Sequence, residues 1–216
     1  VDYELKVVIV GKAYVGKTTL MNTFVMGNFY THHCCTVSVS YKYSILKIDN
    51  MIVKLHFFDT GGEERFQNHL SPIICRNVDI LIAAYDIADK SSFDVLSHWI
   101  DDVKEKSGKP FDLTIVGTKS DLHGRRKVHS QEGLDYAVSL GARFFEVSSK
   151  KNKNIQELFT AATSGTIHKI QEEKQQNAEK LLPTIPSSKT KWNFKNMIKI
   201  IFIGITILLM AIIIVN

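Results

Sequence analysis

A run rich in β-branched residues, Leu5-Lys6-Val7-Val8-Ile9-Val10, leads directly into Gly11-Lys12-Ala13-Tyr14-Val15-Gly16-Lys17-Thr18. The apolar run suits a buried strand, and a helix is expected to start near Lys17. Strand, glycine-bounded loop and helix together form a phosphate cradle. A polyphosphate needs backbone N–H groups converging on its oxygens and a positive charge that reaches its terminal phosphates; Gly-x4-Gly-Lys-Thr in this position supplies both. Gly11 and Gly16 permit backbone geometry that a side chain would block. Lys17 is placed to reach the β and γ phosphates, and the Thr18 hydroxyl to ligate magnesium. A glycine-rich turn with a chance lysine would lack this strand before it and this helix after it, so a nucleoside triphosphate site is expected.

The rest of the chain repeats the alternation. Residues 37–48 and 51–58 read as two strands around Asp49-Asn50, a pair suited to a hairpin turn. Residues 80–85, 113–117 and 144–147 are further strands, separated by stretches with helical spacing. Residues 93–106 carry Phe93, Leu96, Ile100 and Val103 at intervals of three and four, and 130–140 open on Ser130 as an N-cap. A helix is expected over 155–180. Alternating strand and helix predicts an α/β fold: a mainly parallel six-stranded sheet with helices on both faces.

The phosphate loop does not choose the base. Thr118-Lys119-Ser120-Asp121 follows an apolar strand and therefore sits at a strand's C-terminal end, where open α/β sheets bind ligands. An Asp there accepts two hydrogen bonds from the guanine edge that adenine cannot offer, and a Lys stem can lie over the base. Guanine is the expected base.

In this order the motifs resemble the Ras superfamily of small GTPases, and within it the Rab branch, over roughly residues 5–170. The resemblance implies a P-loop GTPase domain over 1–170 that binds GTP or GDP with Mg2+. Its loop contacts would come from Gly11, Ala13, Tyr14, Val15, Gly16, Lys17, Thr18 and Thr19. Thr36 stands where the family has the switch-one threonine that coordinates magnesium and senses the γ phosphate, and Phe29 where an aromatic packs on the guanine. Asp59-Thr60-Gly61-Gly62-Glu63-Glu64 resembles DTAGQE, with Asp59 on the magnesium side and Gly62 as the γ-phosphate amide donor. The expected metal set is Thr18, Thr36 and Asp59. Thr118-Lys119-Ser120-Asp121 resembles NKxD, and Ser148-Ser149-Lys150 resembles SAK, whose middle N–H reads the guanine oxygen. Rab-like wording recurs in Glu64-Arg65-Phe66, Ala84-Tyr85-Asp86-Ile87 and His98-Trp99-Ile100. Effectors, an exchange factor and a GTPase-activating protein are implied as partners of the switch regions.

Several positions depart from the family pattern. Glu63 stands where a glutamine usually orients the attacking water, so the catalytic residues implied are Glu63, Lys17 and Gly62. A carboxylate only accepts hydrogen bonds and adds negative charge beside a polyanion. Either it slows hydrolysis, or it still orients water and partly substitutes; an exposed Glu with no catalytic part is the plainer reading. Slow but nonzero hydrolysis is expected, with a membrane recruiter that hardly hydrolyses as the alternative. Gly61 in place of alanine frees the backbone before the γ-phosphate contact. Thr118 in place of asparagine keeps one hydroxyl bond to neighbouring backbone. Ala13 leaves room for a partner's arginine, and Tyr14 crowds it. A P-loop kinase would need an acceptor site, and Asp121 with the Ser148 run argues against it. Cys34-Cys35 with His32 and His33 has no second ligand pair at metal-binding spacing, and reads as ordinary loop. Cys75 and Trp99 read as packing.

Charge separates the domain from the tail. Residues 1–165 hold 20 Lys and Arg against 19 Asp and Glu, and the remaining excess of the net +5 lies beyond them. A nucleic-acid binder would carry its basic face on the domain, so no nucleic-acid partner is expected; an anionic membrane near the tail is. Val1-Asp2-Tyr3-Glu4 has no apolar run, so no secretory signal is expected there. Three cysteines suit a reduced, cytosolic domain. Pro183 and Pro186 break any helix, and 171–196 reads as a flexible basic tether with Lys189, Lys191, Trp192 and Lys195 beside the membrane. Residues 200–215 (IIFIGITILLMAIIIV) carry no charge. At about 1.5 Å per residue they reach roughly 24 Å, and Met197 with a snorkelling Lys199 adds about 4 to 5 Å. That is a thin span of a hydrocarbon core of about 30 Å. The expectation is a C-terminal transmembrane helix over 197–216 in place of prenylation, for which no terminal cysteine exists. A single-pass, tail-anchored protein follows, its GTPase domain in the cytosol and its short span suited to an endoplasmic reticulum or Golgi-type bilayer.

Overall fold

The computed structural model describes residues 1–27, 29, 40–59, 70–181, 203 and 205. Its sheet has six strands in the order β2-β3-β1-β4-β5-β6. They are β1 (Tyr3–Val10), β2 (Ser40–Ile48), β3 (Met51–Asp59), β4 (Ile80–Asp86), β5 (Asp112–Thr118) and β6 (Arg143–Glu146). Only β2 runs antiparallel, paired with β3 residue by residue from Ser40 opposite Asp59 to Ile48 opposite Met51. The turn between them places Asp49 at φ 53, a left-handed conformation that Asp adopts more readily than most residues. β1 pairs in parallel with β3 on one side and β4 on the other. This is the expected mainly parallel α/β sheet.

Both faces are covered. The odd residues Leu5, Val7 and Ile9 of β1 are buried, as are the even residues Val8 and Val10. On one side, Phe57 of β3 meets Phe24 of α1 (Lys17–Met26) and Phe159 of α6 (Ile155–Leu181), with ring centroids 5.7 and 5.3 Å away. On the other, Val8, Leu81, Ala83 and Ile115 share a core with Leu96, Trp99 and Val103 of α4 (Leu96–Ser107) and Ala137 of α5 (Ser130–Ser139). All seven residues of β4 are buried, which is why it reads as an unbroken apolar run rather than an alternation. Cys75 is buried at the end of the short α2 (Pro72–Cys75), and burial foremost pushes its thiol up to about 11, so it stays a packed thiol.

Two details differ from the sequence reading. The stretch 93–106 is two helices, α3 (Lys90–Asp94) and α4, separated at Val95 with φ −94 and ψ 2. Asp89 starts α3 early by accepting the Ser91 N–H at 3.1 Å, and apolar spacing carries no trace of the break at Val95. Ser130 is not the N-cap of α5. His129 holds that place without a side-chain bond, and the Ser130 hydroxyl donates to Glu146 at 2.9 Å. That carboxylate also receives Arg126 at 2.6 and 2.8 Å through two guanidinium nitrogens, and its charge draws the hydroxyl away from the helix end.

The chain divides into two compact units, Val1–Ile167 and His168–Asn216. In the second, α6 continues to Leu181, with residues 172–178 exposed. Among the described residues no helix is long and apolar enough to cross a membrane. The expected anchor at 197–216 lies outside the described residues except for Ile203 and Ile205, both helical and exposed.

Candidate functional site

Because β1, β3, β4 and β5 run the same way, their C-terminal ends deliver Gly11, Asp59, Asp86 and Thr118 to one edge of the sheet. Gly11 leaves β1 at φ 139, and a Cβ there would lie 2.1 Å from the Ala84 carbonyl oxygen of β4. No side chain fits, which fixes the residue. Gly16, at φ 99, precedes α1 without any side-chain cap, so the first N–H groups of that helix point at the loop's interior.

Side-chain donors take four of the loop's carbonyls. Lys17 Nζ lies 2.6 Å from Gly11 O and 3.0 Å from Lys12 O. Lys119 Nζ donates to Tyr14 O at 2.8 Å, and Thr118 Oγ1 lies 2.6 Å from Val15 O. In a planar trans peptide the following N–H points opposite to its carbonyl, so these bonds also fix the orientation of the amides that follow. Lys17 is 4% exposed, with the Gly11 and Lys12 carbonyls on its ammonium. A buried cation so placed gains from an anionic partner, and a terminal phosphate is one.

Thr18 Oγ1 donates to Asp59 Oδ2 at 2.5 Å, and Asp59 is fully buried. A hydroxyl beside a carboxylate is a hard oxygen set, the chemistry a magnesium ion selects, and these two residues fit the group. Thr36, the third expected metal ligand, lies outside the described residues. So do Gly62, Glu63 and the neighbouring Gly61 and Glu64, as well as His32, His33, Cys34 and Cys35. The stretch carrying Gly62 is bounded by Asp59 and by Leu70, whose N–H donates to Asp102 Oδ2 at 2.7 Å and whose carbonyl accepts from Lys106 Nζ at 3.0 Å.

The residues that the sequence reading gives to the base lie after β5 and in the turn after β6. Lys119, at φ 56, opens a 3-10 helix over Ser120–Arg125 that contains Asp121. Asp121 Oδ1 accepts the Ser148 hydroxyl at 2.5 Å. Ser148 and Lys153 bond to each other's backbone, and the turn they close carries Ser149, partly buried, and Lys150, exposed. Thr118 Oγ1 has two carbonyls in reach, Val15 O and Tyr85 O at 2.8 Å, and its one proton serves either. Threonine at this position thus ties the phosphate loop to β4 and β5. Phe29 is half-buried. Tyr14 stands at φ 67 with 69% of its surface exposed, a left-handed conformation costing a non-glycine residue roughly 1 to 2 kcal/mol.

Three residues with no assigned role in the sequence reading belong to this edge. Asp86 pairs with Lys119 at 2.7 Å. Asp89 and Ser91 receive the ammonium of Lys12 at 3.1 and 2.6 Å, and the Ser91 hydroxyl, ahead of Lys12, holds the Asp89 carboxyl below its ordinary range. Asp86 is the acid that closes the otherwise apolar strand β4, and nothing local in the sequence names its partner. Among the described residues no group of three or more His, Cys, Asp or Glu is arranged to hold a metal by itself.

The family model described as "Ras family" matches residues 6–168. Among curated relatives, "Ras-related protein Rab-21" of Homo sapiens is 39% identical over 157 residues, covering 73% of this chain and 69% of the relative. The Bos taurus protein of the same name is likewise 39% identical, over 73% of this chain and 70% of its own. "Ras-related protein Rab-8" of Diplobatis ommata is 29% identical over 197 residues, covering 88% of this chain and 93% of its own.

Proposed function

This chain belongs to the Ras family and is a Rab-like GTP hydrolase, and from that premise we propose that it works as a GTP- and Mg2+-dependent switch, fixed to a membrane by its own C-terminal helix. The observation that carries the nucleotide reading is the joining of the two loops. Thr118 and Lys119, next to the base-reading Asp121, hold the carbonyls of Val15 and Tyr14 in the phosphate loop. Phosphate grip and base recognition are thereby one rigid unit.

Each residue's part follows from its chemistry. Gly11, Ala13, Tyr14, Val15, Gly16, Thr18 and Thr19 surround the phosphates with backbone donors, and Lys17 adds the charge. Thr18, Asp59 and Thr36 are the residues that hold magnesium, which when bound neutralises phosphate charge. Asp121 and the Ser149 N–H read guanine, while Ser148 orients Asp121; Lys119 and Phe29 flank the base, and Lys150 lies at its rim. Thr36 and Gly62 sense the γ phosphate, and their ordering around it is what an effector reads. An exchange factor and an activating protein act on the same two segments. By analogy with Rab proteins the process served is vesicle traffic.

Glu63 sets the timing. It accepts but does not donate, so it lines up water less well than an amide and repels the γ phosphate. In single-turnover assays GTP-loaded protein is expected to hydrolyse slowly, and Glu63→Gln to raise the rate about tenfold or more. A clear fall in rate on installing glutamine would sink this assignment.

The anchor rests on sequence. Residues 200–215 are uncharged, and the Lys-rich, Trp-bearing stretch before them suits a cytoplasmic leaflet. A spanning helix holds far more permanently than a single lipid chain, so the switch changes partners and not its membrane. Alkaline carbonate washing should leave the protein in the membrane pellet. Recovery in the supernatant overturns the anchor, and the bilayer preference for endoplasmic reticulum or Golgi-type membranes falls with it.

A further inference from the structure

The residue that steers Lys119 is fixed before it meets that lysine. Asp86 ends β4, opposite Thr118 in the parallel register with β5, which sets its carboxylate next to the following residue, Lys119. One carboxylate oxygen accepts the Ala88 N–H at 2.8 Å, and the Asp86 N–H donates to the Ser92 hydroxyl at 2.9 Å. The other oxygen lies 2.7 Å from Lys119 Nζ. The Asp86 side chain is 12% exposed and that of Lys119 37%. Lys119 is the flexible partner, with four methylenes and a left-handed backbone at φ 56.

The same ammonium donates to Tyr14 O, and the Lys119 Cε lies 4.0 Å from where a Cβ on Gly16 would be. The stem therefore crosses the phosphate loop from the base end, held taut by Asp86 at the end of β4. Tyr14 pays for a left-handed backbone, and the lysine's bond to its carbonyl is one tie that keeps it there. The parallel pair at Lys12 and Asp89 has both side chains more than two-fifths exposed, where solvent leaves little net interaction. Asp86 is the buried one of the two.

We propose that Asp86 is a positioning residue for guanine-nucleotide retention: it pins the Lys119 ammonium on the Tyr14 carbonyl, which stretches the lysine stem into a wall beside the base and braces the phosphate loop against β4. The proposal rests on the guanine-site reading given above. Asparagine is the sharp substitution here. Both oxygens of Asp86 face donors, the Ala88 N–H and the Lys119 ammonium. An amide satisfies only one of them and presents its NH2 to the other in either orientation.

The test is release of a fluorescent GDP from the full chain in detergent, chased with excess unlabelled GDP. Asp86→Asn is expected to speed release about tenfold, the loss of one charge-assisted hydrogen bond. On a Lys119→Ala background Asp86→Asn is expected to add less than twofold, because its lever is gone. Asp86→Ala, measured beside it, is expected to give a smaller acceleration, since it removes the tie without setting donor against donor. Release at the wild-type rate overturns the proposal, as does an equal acceleration with and without Lys119. Wild-type protein that retains no guanine nucleotide defeats the underlying reading instead, and the two failures are told apart by that single control.

Discussion

Lys17→Met is expected to leave the chain unable to hold GDP or GTP, with affinity reduced by at least about a hundredfold. The side chain is 4% exposed and its ammonium lies 2.6 and 3.0 Å from the Gly11 and Lys12 carbonyls, so it is already held inside the glycine loop. Charge-assisted hydrogen bonds contribute about 1.5 to 3 kcal/mol each, and an ammonium that bridges two phosphates makes more than one. Methionine has nearly the length of lysine and fills the same channel, so the loss reads as charge and not as cavity. Two consequences separate this from misfolding. Without nucleotide, the variant should melt cooperatively at a midpoint close to that of the wild type, because methionine fills the channel that the lysine stem occupies. With saturating GDP, the wild type should gain a stabilisation that the variant does not share. Calorimetric titration and thermal melts read both; a variant that binds GDP as the wild type does ends the assignment of the loop.

What could be read from the sequence follows covalent continuity. β1, the glycine loop and α1 are consecutive, so one strand pattern and one spacing specify the whole cradle. The hairpin is similar: Asp49-Asn50 sets the turn and pairs Ile48 with Met51. The proposed base contacts come from one local motif: Thr118, Lys119 and Asp121 lie within four positions of each other after an apolar strand. Asp86 escaped because its meaning depends on a partner 33 residues away and on the register that places it opposite Thr118. No local pattern carries that register. The break at Val95 escaped for the opposite reason: Phe93, Leu96 and Ile100 keep helical spacing across it, and the backbone of one residue decides the outcome. Ser130 shows competition. A serine before a helix has an intrinsic preference to cap, and an ion pair contributed by Arg126 and Glu146 redirects its hydroxyl. The reading of the apolar tail as an anchor rests on composition alone, because 197–216 lie outside the described residues except for Ile203 and Ile205.

Asp121→Asn should exchange one base for another and not merely weaken binding, and Ser148 is the reason. Guanine offers two donors along one edge, its N1–H and its amino group, and a carboxylate meets both. Asparagine has one acceptor and one donor. In an unconstrained site the amide could turn either way. Here the Ser148 hydroxyl donates to Oδ1 at 2.5 Å, so the oxygen of the amide stays on Ser148 and the NH2 takes the place of Oδ2. That NH2 then faces a donor of guanine, with one bond lost and one repulsive contact made. A site built for a hydrogen bond rejects a mismatched partner by roughly 10⁴ or more when the groups are buried; with Asp121 only partly buried, a fall of about 10² to 10³ in GDP affinity is expected. Xanthine, which carries a carbonyl where guanine carries its amino group, suits the fixed amide, and xanthosine diphosphate should bind the variant better than GDP does. Adding Ser148→Ala frees the amide to turn and should narrow that preference severalfold. Competition of the two nucleotides against a fluorescent GDP measures all three proteins. Retained GDP affinity in Asp121→Asn removes the carboxylate from base recognition altogether. A loss of GDP without any gain of the xanthine nucleotide leaves the carboxylate in place but takes from Ser148 its orienting role.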